Sequence, residues 1–157
     1  MRRRLARFAP LVVLMPVVAF ILLGSATPAR ADRIGVRAGV YTKLDKPFVG
    51  VEALFRLTDS VYLNPNVEYV FIDNDTFLTF NADFHYDFHT HGRGYVWAGG
   101  GLAVLYEDPK GPVRSSNDVG ANVLFGVGLK GEVIPYVQAK LILKEDTEFV
   151  VGFGLRF

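Results

Sequence analysis

The sequence predicts an all-β protein: an eight-stranded antiparallel up-and-down transmembrane β-barrel that follows a cleaved signal peptide. Three observations predict it. A basic start followed by an apolar run marks an exported chain. Beyond that run, two-residue alternation dominates and no segment keeps a helical period. The alternating segments number eight, most of them near the 9–11 residues that a tilted membrane-crossing strand needs.

The leader opens with Arg2, Arg3, Arg4 and Arg7, continues as an apolar run from Phe8 to about Gly24, and ends on Ala29-Arg30-Ala31. The run approaches the length of a membrane-spanning helix. Pro16 and the A-x-A site favour cleavage instead. Residues 1–31 are therefore expected to be a signal peptide and 32–157 the barrel domain. Five of the 17 basic residues lie in the leader and none of the 16 acidic ones does, so the remainder carries 12 against 16, a net −4. Such a balance gives no reason to expect a nucleic-acid partner. The absence of cysteine excludes disulfides and thiolate metal sites. The remaining 126 residues suit one domain.

The strands are expected at about Arg33–Thr42, Phe48–Leu57, Val61–Phe71, Thr76–Phe88, Tyr95–Tyr106, Val119–Lys130, Val133–Leu143 and Glu148–Phe157. The last is the cleanest: Phe149, Val151, Phe153, Leu155 and Phe157 share one face, while Val150, Gly152, Gly154 and Arg156 share the other. Strand one sets Ile34, Val36, Ala38 and Val40 against Arg33, Gly35, Arg37 and Gly39. Strands two, six and seven alternate in the same way. Strand five, with Gly99-Gly100-Gly101, shows no clear face.

The second face decides between a soluble barrel and a membrane barrel. It is rich in glycine, which weakens a strand and needs a reason. A narrow eight-stranded lumen supplies one, because few large side chains fit there. The apolar face carries Phe55, Tyr69, Phe71, Phe80, Phe84, Phe149, Phe153 and Phe157, several near strand ends where an interfacial aromatic girdle would sit. The apolar face is therefore expected to meet lipid and the polar face to line the lumen. An even strand number puts both termini on the periplasmic side. The longest outer connection is then Glu107–Asp118, and the fourth connection, Thr90–Gly94, is long for a periplasmic turn. Pro65 lies inside a strand and suggests a local bulge.

With its leader, eight alternating strands and final Val151-Gly152-Phe153-Gly154-Leu155-Arg156-Phe157, the chain resembles the small outer-membrane β-barrel proteins of Gram-negative bacteria. The Gly-rich Tyr95–Leu102 segment is also typical of such proteins. The resemblance implies residence in the cell outer membrane and contact with outer-membrane lipid. It further implies that Phe153, Leu155 and Phe157 form the signal read by the barrel assembly machinery. It is specific for architecture and weak for activity, because such proteins include structural proteins, adhesins and lipid-modifying enzymes.

The lumen is expected to hold Arg37, Glu52, Arg56, Glu68, Asp83, Gln138, Lys140 and Arg156, together with Arg33, Asn64, Asn66, Asn81 and Asn122. The signs are mixed, so a self-satisfied network that fills the barrel is favoured over an ion path gated at Glu52. His85, Asp87, His89 and His91 follow one another at spacing two, with ligand types suited to zinc, nickel or copper. On one straight strand they diverge as a row, so no metal or other cofactor is expected. Of the serines after the leader, Ser115 and Ser116 fall on the outer loop, away from all three histidines, and Ser60 falls in a different turn from them. No strand carries the His-x-Ser pairing that resemblance to the lipid A deacylase barrels would require. The expected function is a non-enzymatic integral outer-membrane barrel with a structural or modest surface-binding role and an unknown extracellular ligand. The alternatives are a soluble periplasmic barrel that binds a small apolar ligand and a lipid-modifying enzyme.

Overall fold

A computed structural model describes residues 31–72, 75–109 and 116–157. The expected leader lies, but for Ala31, outside the described residues. So do positions 73–74 of the third connection and 110–115 of the fifth.

Eight strands run in chain order: β1 (Arg33–Tyr41), β2 (Lys46–Arg56), β3 (Val61–Ile72), β4 (Asp75–Phe88), β5 (Gly94–Pro109), β6 (Ser116–Leu129), β7 (Ile134–Leu143) and β8 (Glu148–Arg156). Each pairs antiparallel with its neighbours in sequence, and β8 returns to β1, from Gly35↔Arg156 to Tyr41↔Val150, to close the barrel. Closure removes the two sheet edges that an open meander would leave unpaired. No helix among the described residues is long and apolar enough to cross a membrane.

The pleat sorts the sequence as its alternation predicts. Along β8 the burial alternates without a break, Phe149, Val151, Phe153 and Leu155 pointing out and Val150, Gly152, Gly154 and Arg156 pointing in. Ile34, Val36, Val49, Val51, Phe84, Leu102, Val123, Phe125 and Val137 likewise face outward and are exposed. Water would not tolerate so continuous an apolar wall, whereas hydrocarbon would. Toward the end that carries both termini, Tyr86 and Phe88 meet edge to face on this wall, with Phe157 at the same end. Toward the opposite end, Tyr69 and Phe71 do the same. With the polar face inside, a soluble barrel holding an apolar ligand is the arrangement this burial pattern reverses.

Three expectations are corrected. Pro65 does not create a bulge. The β2–β3 register is the same before and after it, from Glu52↔Asn66 to Phe55↔Leu63, and only the two intervening rungs are missing. Proline removes a donor without inserting a residue. The Ala53 carbonyl beside the gap accepts instead from Asn64 Nδ2 at 3.2 Å. The outer connection Glu107–Asp118 is strand at both its described ends, since Glu107 pairs with Ser116 and Leu105 with Asp118. The third correction concerns Arg56 and belongs to the lumen.

Candidate functional site

The inward positions build three levels between the two ends. At the end with the termini lies a polar mouth of about 350 Å³, whose lining includes Asp32, Arg33, Arg56, Tyr62, Asp87, Tyr95 and Lys130. Arg56 belongs here and not to the buried network. It is the last inward residue of β2, its side chain is 55% exposed, and its Nε donates to Asp32 Oδ2 at 2.9 Å. The strand ends before this side chain reaches the enclosed interior, so water and one exposed carboxylate satisfy it. Arg33, at the same rim, donates to the Glu132 carbonyl at 3.1 Å.

The middle level brings together the other seven predicted lumen residues. Arg156 Nε donates to Glu52 Oε1 at 2.7 Å, and Asn64 Nδ2 reaches Glu52 Oε2 at 3.1 Å. Arg37 bridges the two glutamates, with Nη1 3.7 Å from Glu52 and Nη2 3.3 Å from Glu68. Lys140 Nζ donates to both Glu68 oxygens, at 2.9 and 3.0 Å. Among the described residues Asp83 has no cation within 4.0 Å, but Asn122 and Asn66 amides occupy its two oxygens at 2.7 and 3.1 Å. Gln138 Oε1 accepts from Trp97 Nε1 at 3.1 Å. All six charged side chains are buried, three of each sign. Isolated, each would cost several kcal/mol to desolvate; paired and bonded, they hold one another.

The Arg156 guanidinium is also clasped by aromatic faces, 4.5 Å from the Trp97 ring centre and 4.4 Å from that of Tyr136. Neighbouring strands make room for these rings with glycine. A Cβ at Gly126 would fall 2.1 Å from Trp97 Cζ2, and one at Gly154 would fall 2.5 Å from Tyr136 Cζ. The glycine-rich inward face therefore has a steric cause.

The third level, at the opposite end, is apolar. Tyr41, Phe48, Val70, Phe77, Ala103, Leu105, Ile142 and Val150 form one buried cluster inside the barrel. The Tyr41 hydroxyl ties it to the network below through Glu68 and Thr79. Inward parity near strand ends was the signal for these residues, visible in Val150 and Ile142 once the face is assigned. Strand five resolves in the same way: Trp97, Ala103 and Leu105 point in, and Leu102 and Val104 point out.

No protein-family model matches this chain, and no curated protein sequence matches it. Solved structures do. The N-terminal β-barrel domain of Pseudomonas aeruginosa OprF superposes with a TM-score of 0.63 at 18% identity, covering 81% of this chain and 97% of that one. Neisserial surface protein A gives 0.61 at 14%, covering 79% and 94%. The outer membrane enzyme PagL gives 0.59 at 15%, covering 80% and 98%. The chain has the fold of the small eight-stranded outer-membrane β-barrels. Identities this low speak for fold alone, and the neighbours include an enzyme, so activity is a separate question.

The histidine row separates in space. His85 is fully buried beside Trp97, with ring centroids 6.0 Å apart, while His89 and His91 are exposed in the turn after β4. Among the described residues no three His, Asp or Glu side chains are placed to hold a metal ion. Nor does any hydrogen bond among them join a serine hydroxyl to a histidine. Phe153, Leu155 and Phe157, the residues expected to form the assembly signal, lie on the outer wall with all three side chains exposed.

Proposed function

We propose that the protein is an integral outer-membrane barrel whose work is structural and non-enzymatic, with a sealed lumen and at most a modest surface-binding role at the end opposite the termini. One observation carries this reading. The interior is filled by a bonded charge network and then stoppered by the cluster around Tyr41, Phe48 and Phe77. A conducting pore needs a continuous wet path, and an apolar constriction opposes one by shedding water. Surface binding would fall to the β5–β6 hairpin, whose strands are among the longest in the barrel. Outer-membrane lipid would cover the apolar wall, and the barrel assembly machinery would read the β8 terminus.

Two measurements test this. Purified protein in planar bilayers is expected to show no steady conductance; ohmic single-channel steps would overturn the sealed lumen. Lipid A from cells that overproduce the protein is expected to match that of control cells. A lost or added acyl chain would make the barrel a lipid-modifying enzyme.

A further inference from the structure

The polar mouth at the end with both termini is a cavity whose charges do not all close on one another. Arg56 and Asp32 pair there at 2.9 Å, and the Arg56 guanidinium lies 5.6 Å from the Tyr62 ring centre. The other three charged residues of the lining are Arg33, Lys130 and Asp87. Among the described residues none of the three has an opposite charge within 4.0 Å. Arg33 donates to the Glu132 and Gly131 carbonyls at 3.1 and 3.4 Å, and Lys130 Nζ to the Thr90 carbonyl at 3.0 Å. Asp87, half-buried, accepts from the Tyr95 hydroxyl at 2.8 Å through Oδ2, while its Oδ1 is closed off from solvent without a partner. The lining also includes two buried aliphatic side chains, Leu54 and Ile134. Tyr95 packs on Trp97 at 4.9 Å, and Trp97 carries the Arg156 guanidinium at 4.5 Å, so this stack stands between the cavity and the buried charge network.

Each part of this lining suits a different chemical group. A hydrogen bond between two ions is about twice as strong as one between neutral groups, so cations held by carbonyls favour a carboxylate. Lys130 has three N–H donors and Arg33 five, so both can keep their carbonyls and still donate to a ligand. Asp87, with no cation beside it, favours an ammonium. The aliphatic side chains favour hydrocarbon. A purely anionic ligand would meet Asp87, and a purely cationic one would meet two cations; a zwitterion meets neither obstacle. We propose that the mouth, a cavity of about 350 Å³, binds a free α-amino acid with an aliphatic side chain. Its carboxylate lies toward Arg33 and Lys130, its ammonium toward Asp87, and its side chain over Leu54 and Ile134. The filled interior behind Tyr95 makes this a blind site rather than a stage in a conduction path.

NMR of the folded protein in micelles of an uncharged detergent tests the site, read at the backbone amides of Lys130 and Gly131. Titration with L-leucine is expected to move them along a curve that saturates. Three probes each remove one feature: N-acetyl-leucine lacks the ammonium, leucinamide lacks the carboxylate, and glycine lacks the side chain. Each is expected to bind at least roughly tenfold more weakly than leucine. Lys130→Gln and Asp87→Asn, each losing one charge of the lining, are expected to weaken leucine binding to a similar degree. Where a variant does not fold, shown by lost heat-dependent gel mobility, the probe series on the wild-type protein decides alone. Absence of a saturable shift with leucine, equal binding of any of the three probes, or unchanged leucine binding in either folded variant would overturn the site.

Discussion

At the scale of single residues, stability turns on partners that burial makes obligatory. Glu52 serves two guanidiniums from inside the barrel. Glu52→Gln leaves Arg156 without its carboxylate, while Arg37 keeps Glu68, and should cost about 3–5 kcal/mol, the usual loss when one partner of a buried pair is removed. Denaturant unfolding in micelles measures it. The double change Glu52→Leu with Arg156→Leu should cost less than the two single changes summed, because removing both charges relieves what removing one leaves behind. Arg56→Ala, at the exposed rim, should leave stability nearly unchanged. Gly126→Ala should cost about 1–3 kcal/mol through its collision with Trp97, and should shift the tryptophan emission. Seven of the eight lumen residues named from alternation do meet inside. The exception, Arg56, shows what parity omits: it gives the direction of a side chain but not how far along the barrel the interior has already opened to water.

At the scale of elements, β8 carries the sharpest test of which face meets lipid. Phe153 points outward and is 63% exposed. Phe153→Arg should lower stability in vesicles by roughly 2–4 kcal/mol if it lies near the midplane, and should reduce insertion, while Phe153→Leu should be tolerated. Beyond the strands, the first and seventh connections touch through Lys43 and Asp146, 2.9 Å apart. The hydrogen bond from Lys43, with its charge, holds the Asp146 carboxyl below the usual aspartate range. A depressed carboxyl keeps its contact above its unfolded pKa and loses it as pH falls through the folded value. An NMR titration should show that Lys43→Ala returns Asp146 toward its ordinary value of about 3.9. Alternation placed every strand, but the β5–β6 hairpin runs further than its turn-forming residues suggested. Pairing between Glu107 and Ser116 is a tertiary gain that local composition does not announce. Pro65 misled for a related reason: a missing donor reads as an interruption in sequence, whereas in the sheet an asparagine beside it supplies the bond.

At the scale of the whole molecule, the ion pairs tie the last strands to the early ones. Arg156 in β8 reaches Glu52 in β2, and Lys140 in β7 reaches Glu68 in β3, across 104 and 72 positions of sequence. The pairs form only when the barrel closes, so the buried charge network also rewards one closing register. The sequence showed that charges of both signs share the inward face; which pair meets which depends on strand tilt and closure, which alternation does not encode. The central claim is that this closed, inside-polar barrel lives in the outer membrane. Membrane fractionation followed by semi-native gel electrophoresis of heated and unheated samples tests it most directly. The account predicts recovery in the outer-membrane fraction and a band whose mobility shifts on heating, as the closed barrel opens. Recovery as a soluble periplasmic protein, with one mobility before and after heating, would contradict it.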